Sequence, residues 1–394
     1  MKLNMSYRFL AITSLLSAGV MSSACFHDEE EAPLTPSKHY AAISTRAADY
    51  SSGDISLISF TDYSLDNKNY PSASDTVVST HGEYVYRIGR FQQDNITKFS
   101  ILDRNKIVWQ YSANGQNEEE SNPYKMVFKN DDVAYVIRYG QPTIWIVDPN
   151  AATFTDFKTG EIDISAYGGT DGIPEVADAL IINDKLYLIM QNLDRDNVWK
   201  PGQAYLAVFD TTDNSEVQTN DNVDTPNGVA LSVANPSKMA YSSANNTIYI
   251  VATGGYLEDY SPDYTGGIES VSLSDYSHQV VIDDGDATAH PYGQLKGLAV
   301  LNDTRAYFVG GRAWNDSVVQ EFNPSTGEVV ETPLIAEKDI TDIEIAPTGD
   351  LWVGNATESG ITIFDTVDNS IKEALISTEL VPIDIEFISF DTVR

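Results

Sequence analysis

An all-β chain built from one repeated four-stranded unit is predicted by three observations: short β-branched and aromatic runs, turn residues between them, and an even spacing of the runs. The stretch 132–165 carries the unit in clearest form. Ala134 to Ile137 and Thr143 to Val147 read as strands, separated by a turn over Arg138 to Pro142 and ended by Asp148-Pro149-Asn150. Thr153 to Phe157 with Glu161 to Ile164 suggest a further strand containing a Gly bend, and Lys125 to Phe128 supplies one upstream. A single sheet of four short strands cannot bury both of its faces, so it needs neighbours.

Landmark aromatics supply them. Tyr40, Tyr84, Tyr135, Tyr187, Tyr249, Tyr307 and Trp352 each sit in an equivalent strand, with steps of 44, 51, 52, 62, 58 and 45 residues by subtraction. A second apolar strand ending in a polar turn follows them, as at Asp103, Asp148, Asp210, Asn323 and Asp365. Four-stranded repeats at this spacing predict a β-propeller, and the seven landmarks predict seven blades. Closure is also legible. Asp342-Ile343-Glu344-Ile345 returns 42 residues later as Asp384-Ile385-Glu386-Phe387, whereas the first repeat begins at its second strand, Tyr40 to Thr45. The C-terminal strand, Pro382 to Phe390, is therefore expected to complete the N-terminal blade and remove an open edge.

In chain order, residues 1–24 read as an export signal: Lys2 and Arg8, an apolar core from Phe9 to Val20, then Ser22-Ser23-Ala24. The apolar core is too short to span a bilayer. Cys25, the sole cysteine, follows directly. The arrangement resembles a bacterial lipoprotein signal, in which the cysteine is acylated; Ser22 departs from the usual Leu. The alternative is an ordinary exported protein with a free thiol. Residues 25–38 then form the lipidated cysteine and an acidic tether, and residues 39–394 the propeller. Phe26 after the cysteine favours, by resemblance, the outer membrane, so the membrane is reached through lipid alone.

Acidity excludes one class of partner. The chain has 24 basic against 58 acidic side chains, a net charge of −34, which repels nucleic acid. Against that background, five of the ten arginines fall in loops between second and third strands. Those loops and the between-blade loops surround one mouth of the channel, and loops on a rigid scaffold are where binding residues collect. The candidate ligand-binding set is Arg46, Arg90, Tyr124, Arg138, Tyr139, Arg195, Trp199, Tyr256, His290, Tyr292, Arg312 and Trp314. Arginine forks suit carboxylate or phosphate oxygens, and Arg with Tyr and Trp is a hot-spot composition. Arg138 and Arg312 are expected to face each other across the mouth. The alternative for each arginine is a structural clamp on a neighbouring acid. Two longer loops, Asn192 to Gln203 and Gly254 to Gly267, are expected to form a lip.

Metal and catalytic signals are weak. Asn220 to Asp224 and Asp283 to Asp286 are acidic loops that could hold Ca²⁺, although neither has the full calcium-loop spacing and the alternative is a solvated acidic turn; no histidine pair has ligand spacing within a loop. No catalytic residue is assigned.

Repeats such as YVIRYGQPTIWIVDPN and YLAVFDTTDN resemble the YVTN-type propellers of exported bacterial proteins, over Tyr40 to Phe390. With the lipoprotein signal, the chain is similar to surface propellers that capture corrinoids or ferric siderophores for TonB-dependent transporters. The resemblance implies a binding lipoprotein for a small anionic or aromatic ligand. The alternatives are a propeller hydrolase or lyase of lactonase type, with a metal or His290 at the mouth, and an envelope interaction scaffold.

Overall fold

The computed structural model describes residues 38–66, 70–103, 106–197, 199–220, 226–313 and 315–390. The export signal, Cys25, the tether before Lys38 and Trp314 lie outside the described residues.

Among the described residues the chain forms seven four-stranded antiparallel sheets, the blades of a β-propeller. From the inside outwards, blade 2 runs Thr76–His81, Tyr84–Gly89, Asn95–Ser100, Ile107–Ser112. Blade 3 starts at Pro123–Phe128, blade 4 at Val176–Ile182, blade 5 at Pro236–Ser242, blade 6 at Gln294–Val300 and blade 7 at Ile340–Ile345. Blade 1 is made from both ends of the chain. Val381–Phe390 is its innermost strand and pairs along Lys38–Arg46, with Tyr40 opposite Ile388 and Ile43 opposite Ile385. The expected closure is present, and the strand Lys38–Arg46 is paired on both of its sides.

One local reading needs correction. Phe154–Phe157 is a helical turn rather than strand, and the outer strand of blade 3 is Lys158–Asp163. The turn buries Phe157 against Trp109, at 5.1 Å between ring centroids, which an extended backbone would have pointed elsewhere.

Core packing lies between blades. Each interface stacks the apolar face of one sheet on the next, as in the cluster of Ile137, Ile144, Leu186, Leu188 and Phe209 between blades 3 and 4. Two of the landmark aromatics, Tyr135 and Tyr307, are buried there for a second reason. The Tyr135 hydroxyl donates to Asn214 Oδ1 in the next blade at 2.7 Å, and Tyr307 does the same to Asn369 at 3.0 Å.

Around the channel, the innermost strands pack one against the next in a closed circle. Side-chain oxygens staple neighbours together: Asp178 takes the Met239 amide, Asp342 the Ile385 amide, Asp384 the Val78 amide and Ser79 the Met126 amide, at 2.8–3.1 Å. Most innermost strands carry a bulge near their start, for example between Val176 and Asp178 and between Ile340 and Asp342. Such a bulge re-aims side chains, here towards the axis.

Candidate binding cavity in the central channel

A cavity of about 380 Å³ occupies the mouth of the channel. Its wall is built from the innermost strands: Lys125 from blade 3, Asp178 from blade 4, Lys238 from blade 5, Asp342 and Glu344 from blade 7, Asp384 and Glu386 from blade 1. Arg90, Tyr124 and Gln191 form its rim.

The wall is an ion-pair network. Lys125 Nζ lies 2.7 Å from Asp178, and Lys238 Nζ lies 2.6 Å from both Asp342 and Glu344, also donating to the Ile343 carbonyl at 2.9 Å. Burial would pull both ammonium groups down, but the carboxylates outweigh it and hold them above the ordinary lysine range. The acids respond oppositely. Burial pushes Glu344 up to about 7 despite Lys238. Burial and then Asp342 raise Asp384 to about 6, and burial, partly offset by Lys125, raises Glu386 to about 8. Two lysines cannot hold five carboxylates fully ionised in a space this narrow.

Of the sequence-predicted set, Arg90 and Tyr124 line the cavity. Behind them runs an aromatic ledge. The Arg90 guanidinium sits 4.9 Å from the Tyr124 ring centroid, and Tyr124 stacks on Tyr139 at 4.3 Å. Tyr139 donates to Gln191 Oε1 at 2.7 Å, and Gln191 donates to the Pro236 carbonyl at 3.0 Å. Blades 2 to 5 are thus tied together along one side of the mouth.

The arginines are otherwise spent. Arg90 holds Asp75 at 2.5 Å, Arg195 holds Glu175 at 2.8 Å, and Arg138 pairs with Glu118. Each pair joins an arginine at or a few residues beyond the end of a second strand to an acid shortly before the first strand of the same blade. A hairpin brings those two positions side by side, so the three pairs are one repeated clamp. Arg138 is fully buried, with its guanidinium 4.3 Å from the Trp145 ring and donating to the Ala113 carbonyl and Thr143 hydroxyl. It does not face Arg312 across the mouth. Arg312 holds Asp316 at 2.8 Å across its own hairpin.

The remaining candidates surround the mouth without lining the cavity. Arg46 caps the Tyr50 ring at 4.0 Å, Arg195 approaches Trp199 at 5.4 Å, and His290 stacks on Tyr264 at 4.4 Å. Tyr292 is half-buried edge-on to Phe308 at 5.2 Å. Trp199 and Tyr256 are 51% and 52% exposed. The two long loops touch: a Cβ on Gly255 would lie 3.0 Å from Pro201. Tyr50, Trp199 and Tyr260 hold φ near +60°, a region bulky residues avoid, and the resulting turns turn the rings outwards. At the Asp283 to Asp286 turn, Asp284 is buried with Oδ1 unpartnered, and burial raises it to about 6. No group of three His, Cys, Asp or Glu close enough to hold a metal ion occurs among the described residues.

Sequence reasoning missed Asp178, Lys238, Asp342, Glu344, Asp384 and Glu386. The signal was present in the repeated Asp-Ile-Glu, whose alternation puts both acids on one face and the isoleucine in the blade core.

No family model and no curated protein sequence matches the chain. Its fold is that of solved propellers. The periplasmic gluconolactonase PpgL of Pseudomonas aeruginosa is 11% identical, with 89% of this chain and 99% of that one covered at a TM-score of 0.60. Hydrazine synthase of Kuenenia stuttgartiensis is 11% identical over 82% and 94%, at 0.56, and apo AztD of Citrobacter koseri 13% over 90% and 99%, at 0.50. At such identities the likeness establishes the seven-bladed propeller and nothing finer. Proteins of such different names on one fold put the argument for function on the site. No helix among the described residues is long and apolar enough to cross a membrane.

Proposed function

We propose that this protein is a solute-capturing propeller of the bacterial cell envelope, held to the outer membrane through an acylated Cys25 and binding a small polar molecule in the channel mouth. The carrying observation is the cavity itself: about 380 Å³, ringed by Arg90, Tyr124 and the ion-paired wall, on a scaffold closed at both ends of the chain. Handing the solute to a TonB-dependent transporter is the step that such an anchor and site would serve. A siderophore, corrinoid or haem is too large for this volume and would rest on the exposed aromatic rings of the rim.

The test is a thermal-shift screen of polar solutes, ferric siderophores, corrinoids and δ-lactones on the wild type and on Ala177→Trp. Ala177 lines the cavity, and the larger side chain fills it. Hits that raise the melting temperature of the wild type alone support the reading. Hits unaffected by the substitution, or none, refute it.

A second reading is a hydrolase of the lactonase type. What favours it is the pair Glu344 and Glu386, which burial holds near neutral pH as a general acid–base pair would require. The name of the gluconolactonase neighbour points the same way. Turnover of a δ-lactone abolished by Glu386→Gln would establish it.

A further inference from the structure

The cavity is asymmetric in what it has left to offer. Every cation on its wall is committed: Arg90 to Asp75, Lys125 to Asp178, Lys238 to Asp342 and Glu344. The acids are not. Asp384 spends one oxygen on the Val78 amide. Glu386, two residues along the closing strand, receives no side-chain hydrogen bond among the described residues and senses Lys125 and Lys238 through their fields.

Resting on the channel-capture reading, we infer that the captured solute is a small organic ammonium, best a linear diamine, whose charged ends meet Glu386 and Asp384.

Three comparisons decide the class. An anion finds no free cation here and would have to pull Asp178 or Asp342 off its lysine. A single metal ion needs several oxygens converging at one point, and no three acids in the described residues do so. An ammonium needs less. Each carries three N–H donors, and two of them joined by a short chain reach carboxylates that stand apart. The sign of the charge also favours an ammonium. With Arg90 neutralised by Asp75, the fully ionised wall holds Asp178, Asp342, Glu344, Asp384 and Glu386 against Lys125 and Lys238, that is 2 − 5 = −3. A diamine brings +2 and offsets most of it.

The pH dependence follows from what surrounds Glu386. It faces Asp384 on its own strand, Glu344 and Asp342 from blade 7, Asp178 from blade 4, and Lys125 and Lys238 from blades 3 and 5. Its carboxyl is raised to about 8, so near neutral pH the empty site holds bound protons. An arriving ammonium replaces them, and the protons leave to buffer. Affinity therefore rises with pH up to the range where alkylamines themselves lose charge, near the ordinary lysine value of about 10.

The experiment uses the full mature chain and four probes: 1,4-diaminobutane, 1,4-butanediol, succinate and calcium chloride. The organic probes share a four-carbon length and differ in charge. Calorimetry at pH 6 and pH 8.5 should show the diamine binding at least tenfold tighter at the higher pH. In two buffers of different ionisation enthalpy at pH 7, the heats should differ by the released protons. Glu386→Gln should weaken the diamine at least tenfold. Proton release is read on the wild type, so the test survives even if that closing-strand variant folds poorly. Succinate, butanediol or calcium binding as well as the diamine would overturn the inference. So would diamine binding without proton release, or no binding by any probe. If channel-dependent hits from the solute screen are all non-amines, the capture reading stands and only this inference falls.

Discussion

Removing the Arg138 side chain strands several partners at once. Glu118 loses its ion pair, the Ala113 carbonyl and Thr143 hydroxyl lose their donor, and Trp145 loses the cation over its ring. Breaking a buried pair from one side costs roughly 3–5 kcal/mol. Glu118 is 28% exposed and can regain water, so Arg138→Met is expected to cost about 2–4 kcal/mol in urea denaturation while leaving the affinity of the channel for its ligand unchanged. Lost binding at wild-type stability would return Arg138 to the ligand site. Asp284 gives the opposite expectation. Burial raises its folded pKa from the ordinary aspartate value of 3.8 to about 6, so folding favours the protonated acid. That contribution is present below pH 4 and is lost as pH rises through 6. At pH 7 the buried charge costs up to about 3 kcal/mol, at 1.36 kcal/mol per pKa unit. Asp284→Asn should therefore melt higher than the wild type at pH 7 and about equally at pH 4. Equal melting temperatures at both would show that the carboxyl is solvated or paired.

The closing strand is the element on which the ring depends. Val381–Phe390 supplies the inner pairing for Lys38–Arg46, accepts the Thr80 hydroxyl at the Phe387 carbonyl, and carries Asp384 to the Val78 amide. A chain stopped after Leu380 loses all of these and exposes the strand Lys38–Arg46 and the flank of blade 2. We expect loss of the cooperative unfolding transition, or aggregation, by calorimetry and light scattering. A stable truncated monomer would contradict the closure. The same strand marks the limit of what the sequence made legible. The spacing of the aromatic landmarks located the blades, and the repeat of Asp-Ile-Glu located the closure, because both are written in the order of residues along the chain. The partners of the loop arginines were not legible in the same way. Asp75–Arg90, Glu118–Arg138 and Glu175–Arg195 are 15 to 20 residues apart, and pair only because each bracketing hairpin returns to its start. Reading acids before first strands against arginines after second strands would have found them. The carboxylate wall needed more, since it joins strands from blades 1, 3, 4, 5 and 7 that meet only at the axis.

At the scale of the whole molecule, polarity along the axis fixes how an anchored propeller presents its mouth. The loop after Lys38–Arg46 is on the mouth face, as are the equivalent loops carrying Arg90 and Tyr139, so the chain enters blade 1 on the opposite face. In the anchored form proposed, Cys25 lies 13 residues before Lys38, a reach of at most about 45 Å, and the tether joins the face turned away from the ligand. Electrostatics gives no second means of attachment. A net charge of −34 is repelled by anionic headgroups, so retention on membranes has to come from the acyl chains and should resist high salt. Cys25→Ser is thus expected to move the protein from the membrane fraction to the soluble fraction, whereas a 1 M salt wash of the wild type should release none. Mass spectrometry of the mature N-terminus should find acyl chains on Cys25. Retention of the serine variant on membranes, or release of the wild type by salt, would show that a protein partner rather than lipid holds it there.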